Sequence, residues 1–567
     1  VSTLLSDEQE QEAALRIAEM FNATQLRNIL KPRLVNALRS YKRHTLGRDT
    51  NPTKVEVAAA LIIENGTELF RNKEIRDAIA KHLRIKPIDR WHAGHRSSVH
   101  FVEQAGFPSV FSGAINGERP KMITFLKEKR KTPALEAFQR NAKNRLLGVA
   151  QDQGKRVLLQ LPTGSGKTRI AVDTLREFLT GDFRDEERRG YAVIWCAHQD
   201  ELCDQAAQTI EDTWVNSDES CPLNLIRYYG YTPDDALEKA EEDEQIGTPS
   251  ILVTTPAKAL RLLTMDSTSN EFVASLQTNT RLVVIDEAHR AGAPTYLEIL
   301  SKLPPITTVI GLTATPYRQT WLGSNGTDEL LRLFNDHVIK PESLFEDFSA
   351  ASDMNAKQFL LQKRILAKPI VSQIRTGKRL SDSSLTHDTG DYEADAMAVD
   401  SAIVRDIAAD QDRTRAIYRA VLPVFKTEGA SIMYFAPTIQ DALTMTFLLR
   451  VEGIAAECVH AETPDGLRRK YIRQFKDGRL RVLCNVEVLT TGFDAPRVTH
   501  VVVARPTVSR VLYEQIVGRG LRGPRFGGTE ECQIIDCLDT VPNNRMQFGY
   551  QAFREEWGIS DVSELRS

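Results

Sequence analysis

The residues best suited to chemistry in this sequence are Leu161-Pro162-Thr163-Gly164-Ser165-Gly166-Lys167-Thr168 and, about 120 residues later, Asp286-Glu287-Ala288-His289. The first follows the apolar run Val157 to Leu161, and its glycines permit a tight turn whose successive amides, Thr163 to Lys167, point at phosphate oxygens. Lys167 then suits the β and γ phosphates and Thr168 a Mg²⁺ ion. The acidic quartet closes the apolar run Leu282 to Ile285. At a strand end, Asp286 suits the metal shell and Glu287 the role of base toward a water. The two motifs together imply nucleoside triphosphate hydrolysis. Leu161 stands where the general phosphate-loop pattern has Gly, so Pro162 and the later glycines are expected to shape the turn. His289, and the hydroxyls of Thr313 and Thr315 in Gly311-Leu-Thr-Ala-Thr-Pro316, are expected to couple the acidic pair to its surroundings.

A second reactive group lies far downstream, in Gln515-Ile-Val-Gly518-Arg519-Gly520-Leu521-Arg522. Two arginines three residues apart share a face if the segment is helical, and guanidinium groups suit the charge that develops on a transferring phosphoryl group. Placed on a separate domain, they make catalysis depend on closure.

The elements that must position these groups form two series. Short β-rich runs at Val157 to Leu161, Ala192 to Ala197, Ser250 to Thr254, Leu282 to Ile285 and Thr308 to Leu312 alternate with helix-length segments, which implies a parallel sheet covered on both faces. A second series has runs at Ser431 to Phe435, Ala455 to Val459, Arg481 to Asn485, His500 to Ala504 and Cys532 to Asp536. The fold class is therefore α/β with two tandem layers. Residues 1–125 read as a helical, partly basic accessory domain. Residues 126–320 form the nucleotide-binding domain, 321–402 a linker and insertion, 403–545 the second α/β domain and 546–567 a helical tail.

Composition narrows the class. The chain has 567 residues, 41% hydrophobic and 26% charged, with a formal net charge of −3. No stretch approaches the roughly 18 apolar residues of a membrane span, and the first 25 residues are acidic and polar, unlike a signal peptide. A cytoplasmic protein with no membrane partner is expected. The chain begins at Val1 rather than Met, so processing or a longer parent is expected. The seven cysteines contain no Cys-x-x-Cys pair and sit mostly in apolar runs, which points to buried thiols. Charge is uneven: residues 26–100 carry 16 Lys and Arg against 7 acids. That segment is a candidate contact surface. Its Arg90-Trp91-His92 sequence reads either as a base-stacking platform or as a core tryptophan with solvated neighbours.

The ordered set LPTGSGKT, WCAHQDEL, TTP, DEAH, LTATP, NVEVLTTGFDAP and QIVGRGLR resembles the superfamily 2 helicases of the DEAH-box type, over about 400 residues from Lys131 to Asp539. Gly311 to Arg318 and the run Arg505 to Gln515 look like the type III restriction enzyme helicase subunit and RadD-like group, although the cysteine-rich zinc module of the latter has no counterpart. The resemblance implies two RecA-like domains with ATP and Mg²⁺ between them. It implies Gln139 on the adenine, Gly492 and Asp494 as nucleotide contacts, and Gln515 near the γ-phosphate. It further implies nucleic-acid contacts at His198, Thr254, Thr255, Pro256, Phe435, His460, Thr490 and Thr491, where hydroxyls and loop amides grip backbone without reading sequence. The expected function is an ATP-dependent DNA helicase or translocase in repair, restriction or antiviral defence. An RNA-dependent ATPase, or a nucleic-acid-sensing switch that recruits an effector protein, are the alternatives.

Overall fold

The computed structural model describes residues 4–5, 7–47, 50–92, 95–112, 123–126, 134–180, 192–214, 223–230, 249–265, 271–290, 294–314, 326–345, 355–379, 401–489, 495, 497–507, 510–540, 548–559 and 562–565. Thr315, Thr490, Thr491, Gly492 and Asp494 lie outside them.

The first sheet takes β1 (Ile123–Leu126), β2 (Arg156–Gln160), β3 (Ala192–Cys196), β4 (Leu223–Tyr228), β5 (Ser250–Thr254), β6 (Thr280–Asp286), β7 (Thr308–Thr313) and β8 (Val338–Ile339), in the order β1-β4-β5-β3-β6-β7-β2-β8. All pairs are parallel except β1 with β4. The second sheet takes β9 (Lys368–Arg379), β10 (Ile432–Phe435), β11 (Ala456–Val459), β12 (Val482–Asn485), β13 (His500–Val503), β14 (Glu531–Thr540) and β15 (Val562–Glu564), in the order β11-β12-β10-β13-β14-β9-β15, parallel throughout. The ten expected strands are present within one or two residues, apart from β14, which runs on to Thr540. Their β-branched runs are buried on both faces, as parallel strands require.

The domain limits read from sequence need correction. The segment 321–402, expected as linker, supplies β8 to the first sheet and β9 to the second, and the tail expected to be helical ends in β15. Residues 1–125, expected as helical, include β1 of the first sheet. These strands escaped notice because β8 has two residues, while β9 and β15 mix polar with apolar side chains near a sheet edge.

Alternation along β10 sorts its side chains into two cores. Met433 and Phe435 join a cluster with the nucleotide-domain residues Phe138, Leu159 and Val284, whereas Ile432 and Tyr434 join the N-terminal helices. The second sheet is therefore roofed by the N-terminal domain. The helix Ile439–Val451 lies between them and is buried without interruption from Asp441 to Leu449, which explains its lack of a polar face. It packs on the helix Pro32–Leu46. Trp91 is half-buried against this core, its ring centroid 5.9 Å from Phe70 and 6.4 Å from Phe101, which favours the reading of Trp91 as a core anchor over that of a base-stacking platform.

One buried ion pair ties the ends of the second domain together. Arg413 donates from Nε to Asp539 Oδ1 at 2.8 Å, and from Nη2 to Asp539 Oδ2 at 3.0 Å and to the Ala504 carbonyl at 2.6 Å. Both side chains are almost wholly enclosed, and Asp539 holds the guanidinium in its charged form despite burial. Removing one partner strands the other charge. Arg413→Leu is expected to cost about 3–5 kcal/mol, seen as a lower urea midpoint for the domain.

Candidate active site at the domain cleft

The phosphate loop links β2 to the helix Lys167–Thr180. Gly164 and Gly166 take φ values of +82° and +86°, the left-handed conformation that glycine adopts without steric cost. A Cβ on Gly166 would come within 2.6 Å of Gln139 Nε2. Gln139 is itself buried, accepting from the Glu136 amide at 3.0 Å and donating to the Ser165 carbonyl at 3.0 Å. Its amide thus braces the loop in this state, and reading an adenine requires exchange of the second bond. Ser165 donates from Oγ to the Pro162 carbonyl at 2.7 Å, so Pro162 shapes the turn where Gly is absent at 161. Lys167 Nζ bonds the carbonyls of Leu161 and Pro162 at 3.0 and 3.3 Å. Burial lowers the affinity of this amine for its proton, against the pull of Glu287 and Asp286.

The acidic pair terminates β6, and Asp286 pairs in register with Leu312 of β7. Both carboxylates are buried. Asp286 Oδ1 accepts from the Glu287 amide at 3.0 Å. Glu287 has φ +52°, a conformation that costs a non-glycine residue on the order of 1–2 kcal/mol. Such strain concentrates at functional sites. His289 Nδ1 lies 3.3 Å from Glu287 Oε2. Burial and the neighbouring Glu287 push the Asp286 carboxyl up. Glu287 is held down, because the imidazole of His289 beside it and the charges of Lys167 and Arg519 outweigh its burial. One member of the pair, Glu287, is therefore a ready anion, and hard carboxylate oxygen together with a hydroxyl such as that of Thr168 is the donor chemistry that suits Mg²⁺. Thr313 is buried at the end of β7, where its carbonyl accepts from Leu161 N at 3.1 Å. This joins the Thr313 strand end directly to the phosphate loop.

The second domain closes on this loop. The helix Arg510–Val517 ends before Gly518, so Arg519 and Arg522 leave from the following turn rather than from one helical face, a correction enforced by the glycines at 518 and 520. Gln515 is buried in the last turn of the helix, and its carbonyl accepts from Arg519 Nε at 3.1 Å. Arg519 adds positive potential at Lys167, Asp286 and Glu287 alike. Arg522 forms an antiparallel bridge with Leu366, and its Cα lies 3.7 Å from where a Gly164 Cβ would stand. A Cβ on Gly518 would sit 2.8 Å from Thr163 Cβ and 2.7 Å from the Glu514 carbonyl. Gly518→Val is thus expected to hold the turn off the loop and lower kcat for ATP roughly 100-fold, with an unchanged circular-dichroism spectrum.

Other cross-domain contacts were not visible in sequence. Arg525 Nη1 reaches Glu136 Oε2 at 3.1 Å, beside Gln139. Arg468 pairs with Glu201, at the start of the helix Asp200–Trp214, and donates from Nη2 to the carbonyls of His460 and Ala461 at 3.2 Å.

The expected nucleic-acid contacts divide. His198 is partly exposed in the turn after β3, and Thr255 and Pro256 begin the helix Pro256–Thr264 with partial exposure. Thr254 and Phe435 are buried strand ends, and the Thr254 hydroxyl donates to the Tyr228 carbonyl at 2.8 Å. As side-chain contacts these two are corrected, because the strand register turns them inward. His460 is likewise enclosed, its amide donating to Thr463 Oγ1 at 2.9 Å, and burial lowers its pKa to about 4.

Among the described residues no group of three or more His, Cys, Asp or Glu suits a metal ion, and the six described cysteines are buried and free. No described helix is long and apolar enough to cross a membrane.

Residues 132–318 match the family model described as "Type III restriction enzyme, res subunit", and residues 413–523 match "Helicase conserved C-terminal domain". The chain is 25% identical over 381 residues to a 51.5 kDa protein of Lactococcus phage (isolate 7-9), covering 67% of this chain and 65% of that one. It is 23% identical over 426 residues to the putative ATP-dependent helicase IRC3 of Saccharomyces cerevisiae, covering 73% of this chain and 53% of that one. Among solved structures, a fragment of a putative HsdR subunit of a type I restriction enzyme from Vibrio vulnificus is similar with a TM-score of 0.48 and 20% identity, covering 87% of this chain and 73% of that one. The chain thus spans between about half and two thirds of these two curated relatives. The two matched segments carry β2 to β7 of the first sheet and β10 to β13 of the second, and the chain belongs to the superfamily 2 helicases related to restriction-enzyme helicase subunits.

Proposed function

We propose that this chain is a nucleic-acid-dependent ATPase that uses ATP hydrolysis to move along DNA. The observation that carries the reading is the meeting of the phosphate loop and the Asp286-Glu287 pair with the Gly518 to Arg522 turn of the other domain. In this reading the loop amides and Lys167 hold the ATP phosphates, with Gln139 beside the base. Glu287, kept anionic by His289, orients and deprotonates water. Thr168 and Asp286 would hold Mg²⁺, which when bound neutralises charge on the β and γ phosphates. Arg519 and Arg522 supply positive charge only when the domains close, so turnover follows domain position, and Gln515 lies beside them. Gly492 and Asp494 belong to the same proposal. Closure and reopening then shift one domain against the other along a strand gripped near His198, Thr255, Pro256, Thr490 and Thr491.

DNA is favoured over RNA by similarity to restriction enzyme subunits, including the EcoKI endonuclease subunit of Escherichia coli, 24% identical over 433 residues and matching 32% of that protein. A role in restriction, repair or antiviral defence, with any effector recruited there, rests on the same likeness. The test is ATPase rate with single-stranded DNA, duplex DNA, forks and matched RNA. Stimulation by DNA with strand displacement proportional to ATP consumed supports the reading, whereas stimulation by RNA alone, or turnover without displacement or translocation, contradicts it.

A further inference from the structure

Two sets of cations stand out in the N-terminal domain. One group is paired: Lys31 and Arg33 engage Glu462 of the second domain, Arg33 Nη2 also reaches Glu64 Oε1 at 2.6 Å, and Lys42 meets Glu56 at 3.0 Å. These hold the domain together and fix it to the loop after β11. The other group is Lys81, Arg84, Lys86, Arg90 and Arg96, all exposed and without a carboxylate partner among the described residues. Four exposed histidines, at 82, 92, 95 and 100, share the same stretch, whose single acid, Asp89, draws on the Arg76 guanidinium beneath.

Beneath these cations lies a buried one. Arg76 is buried and donates from Nη1 to the carbonyls of Phe70 and Arg71 at 2.6 and 2.8 Å, with Nε 3.4 Å from the Ile88 carbonyl and Cζ 5.6 Å from the Trp91 ring. A buried cation thus fixes the path of the exposed ones. Arg84 has φ +56° at a helix end where glycine is the unstrained choice. The attraction of a helix C-terminus for cations accounts for Lys81 and Arg84, but not for Arg90 or Arg96.

We propose that Lys81, Arg84, Lys86, Arg90 and Arg96, a basic strap, bind the phosphate backbone of a nucleic-acid duplex and travel with the second domain; this rests on the proposed reading of the chain as a nucleic-acid motor. The only tryptophan of the strap is half-buried, its ring held against Phe70, Phe101 and the Arg76 guanidinium, so it is a poor platform for base stacking, the usual means of holding single strands. Preorganised, unpaired cations match the dense charge of duplex DNA.

The experiment compares the full-length protein with K81E/R84E/R90E/R96E, and with the neutral K81Q/R84Q/R90Q/R96Q, for equilibrium binding to a blunt duplex and to a single strand of equal length across a salt series. Thermal melts matching the parent establish that the variants fold. The expected result is duplex affinity weakened at least about 10-fold, with the slope of log K against log salt reduced by up to about 3.6, since each of the four lost phosphate contacts removes about 0.9. The Gln variant is intermediate, and ATPase stimulated by single strands is unchanged. Unchanged duplex affinity and slope overturn the proposal. So does an equal loss for the single strand, which puts the strap on the motor's own track, or equal competition by polyglutamate, which marks an acidic-protein surface. If the parent shows no nucleic-acid-stimulated ATPase but duplex binding still falls, the motor reading fails and the strap stands.

Discussion

Glu287→Gln is expected to abolish nucleic-acid-stimulated ATP turnover, by about 10²–10⁴-fold, while ATP still binds. The substitution keeps the volume and the backbone strain at φ +52° but removes the anion that His289, Lys167 and Arg519 stabilise. Lys167→Ala is expected to lose turnover to a similar degree and to weaken ATP binding as well, because its ammonium is the one cation of the phosphate loop. Single-turnover hydrolysis, with a fluorescent nucleotide analogue to follow binding, separates the two effects. Near-normal turnover in both variants contradicts the assignment of the site.

The second large effect is expected at the opposite wall. Arg519→Ala and Arg522→Ala should leave ATP affinity mostly intact and slow hydrolysis, with a loss approaching the 10³–10⁵-fold typical of an arginine supplied across a cleft. The structure separates their expected sizes. Arg519 raises the potential at Lys167, Asp286 and Glu287, whereas the backbone of Arg522 is committed to the bridge with Leu366. Arg519→Ala is therefore expected to be the more severe in kcat. A loss of binding equal to the loss of rate in either variant would place that arginine on the ground-state nucleotide instead.

The helicase core was legible in the sequence because most of its strands are continuous apolar runs with polar chemistry at their ends. β2 with the phosphate loop and β6 with Asp286-Glu287 are the plain cases. β4 was not seen, since buried Asn224 and Arg227 interrupt its apolar run. The direction of a side chain at a strand end depends on register, which a motif does not carry, and so Thr254 and Phe435 were assigned to a surface they do not reach. The helical reading of Arg519 and Arg522 failed for a local reason, the two glycines between which Arg519 sits. Contacts such as Arg468 with Glu201 and Arg33 with Glu462 join residues 267 and 429 positions apart. Spacing cannot reveal pairs that only tertiary structure brings together.

The helix Ile439–Val451 has a practical consequence. Nine successive buried residues between the second sheet and the helix Pro32–Leu46 leave it no side fit for water. A chain trimmed to the matched segments would present leucines, a phenylalanine and a methionine to solvent, an adhesive stripe that favours clumping over catalysis. The N-terminal helices are therefore the lid of a core rather than a detachable handle. Expression trials of the two sheets alone should yield precipitate, and functions of residues 1–112 are better dissected by point changes on the outer surface than by deletion.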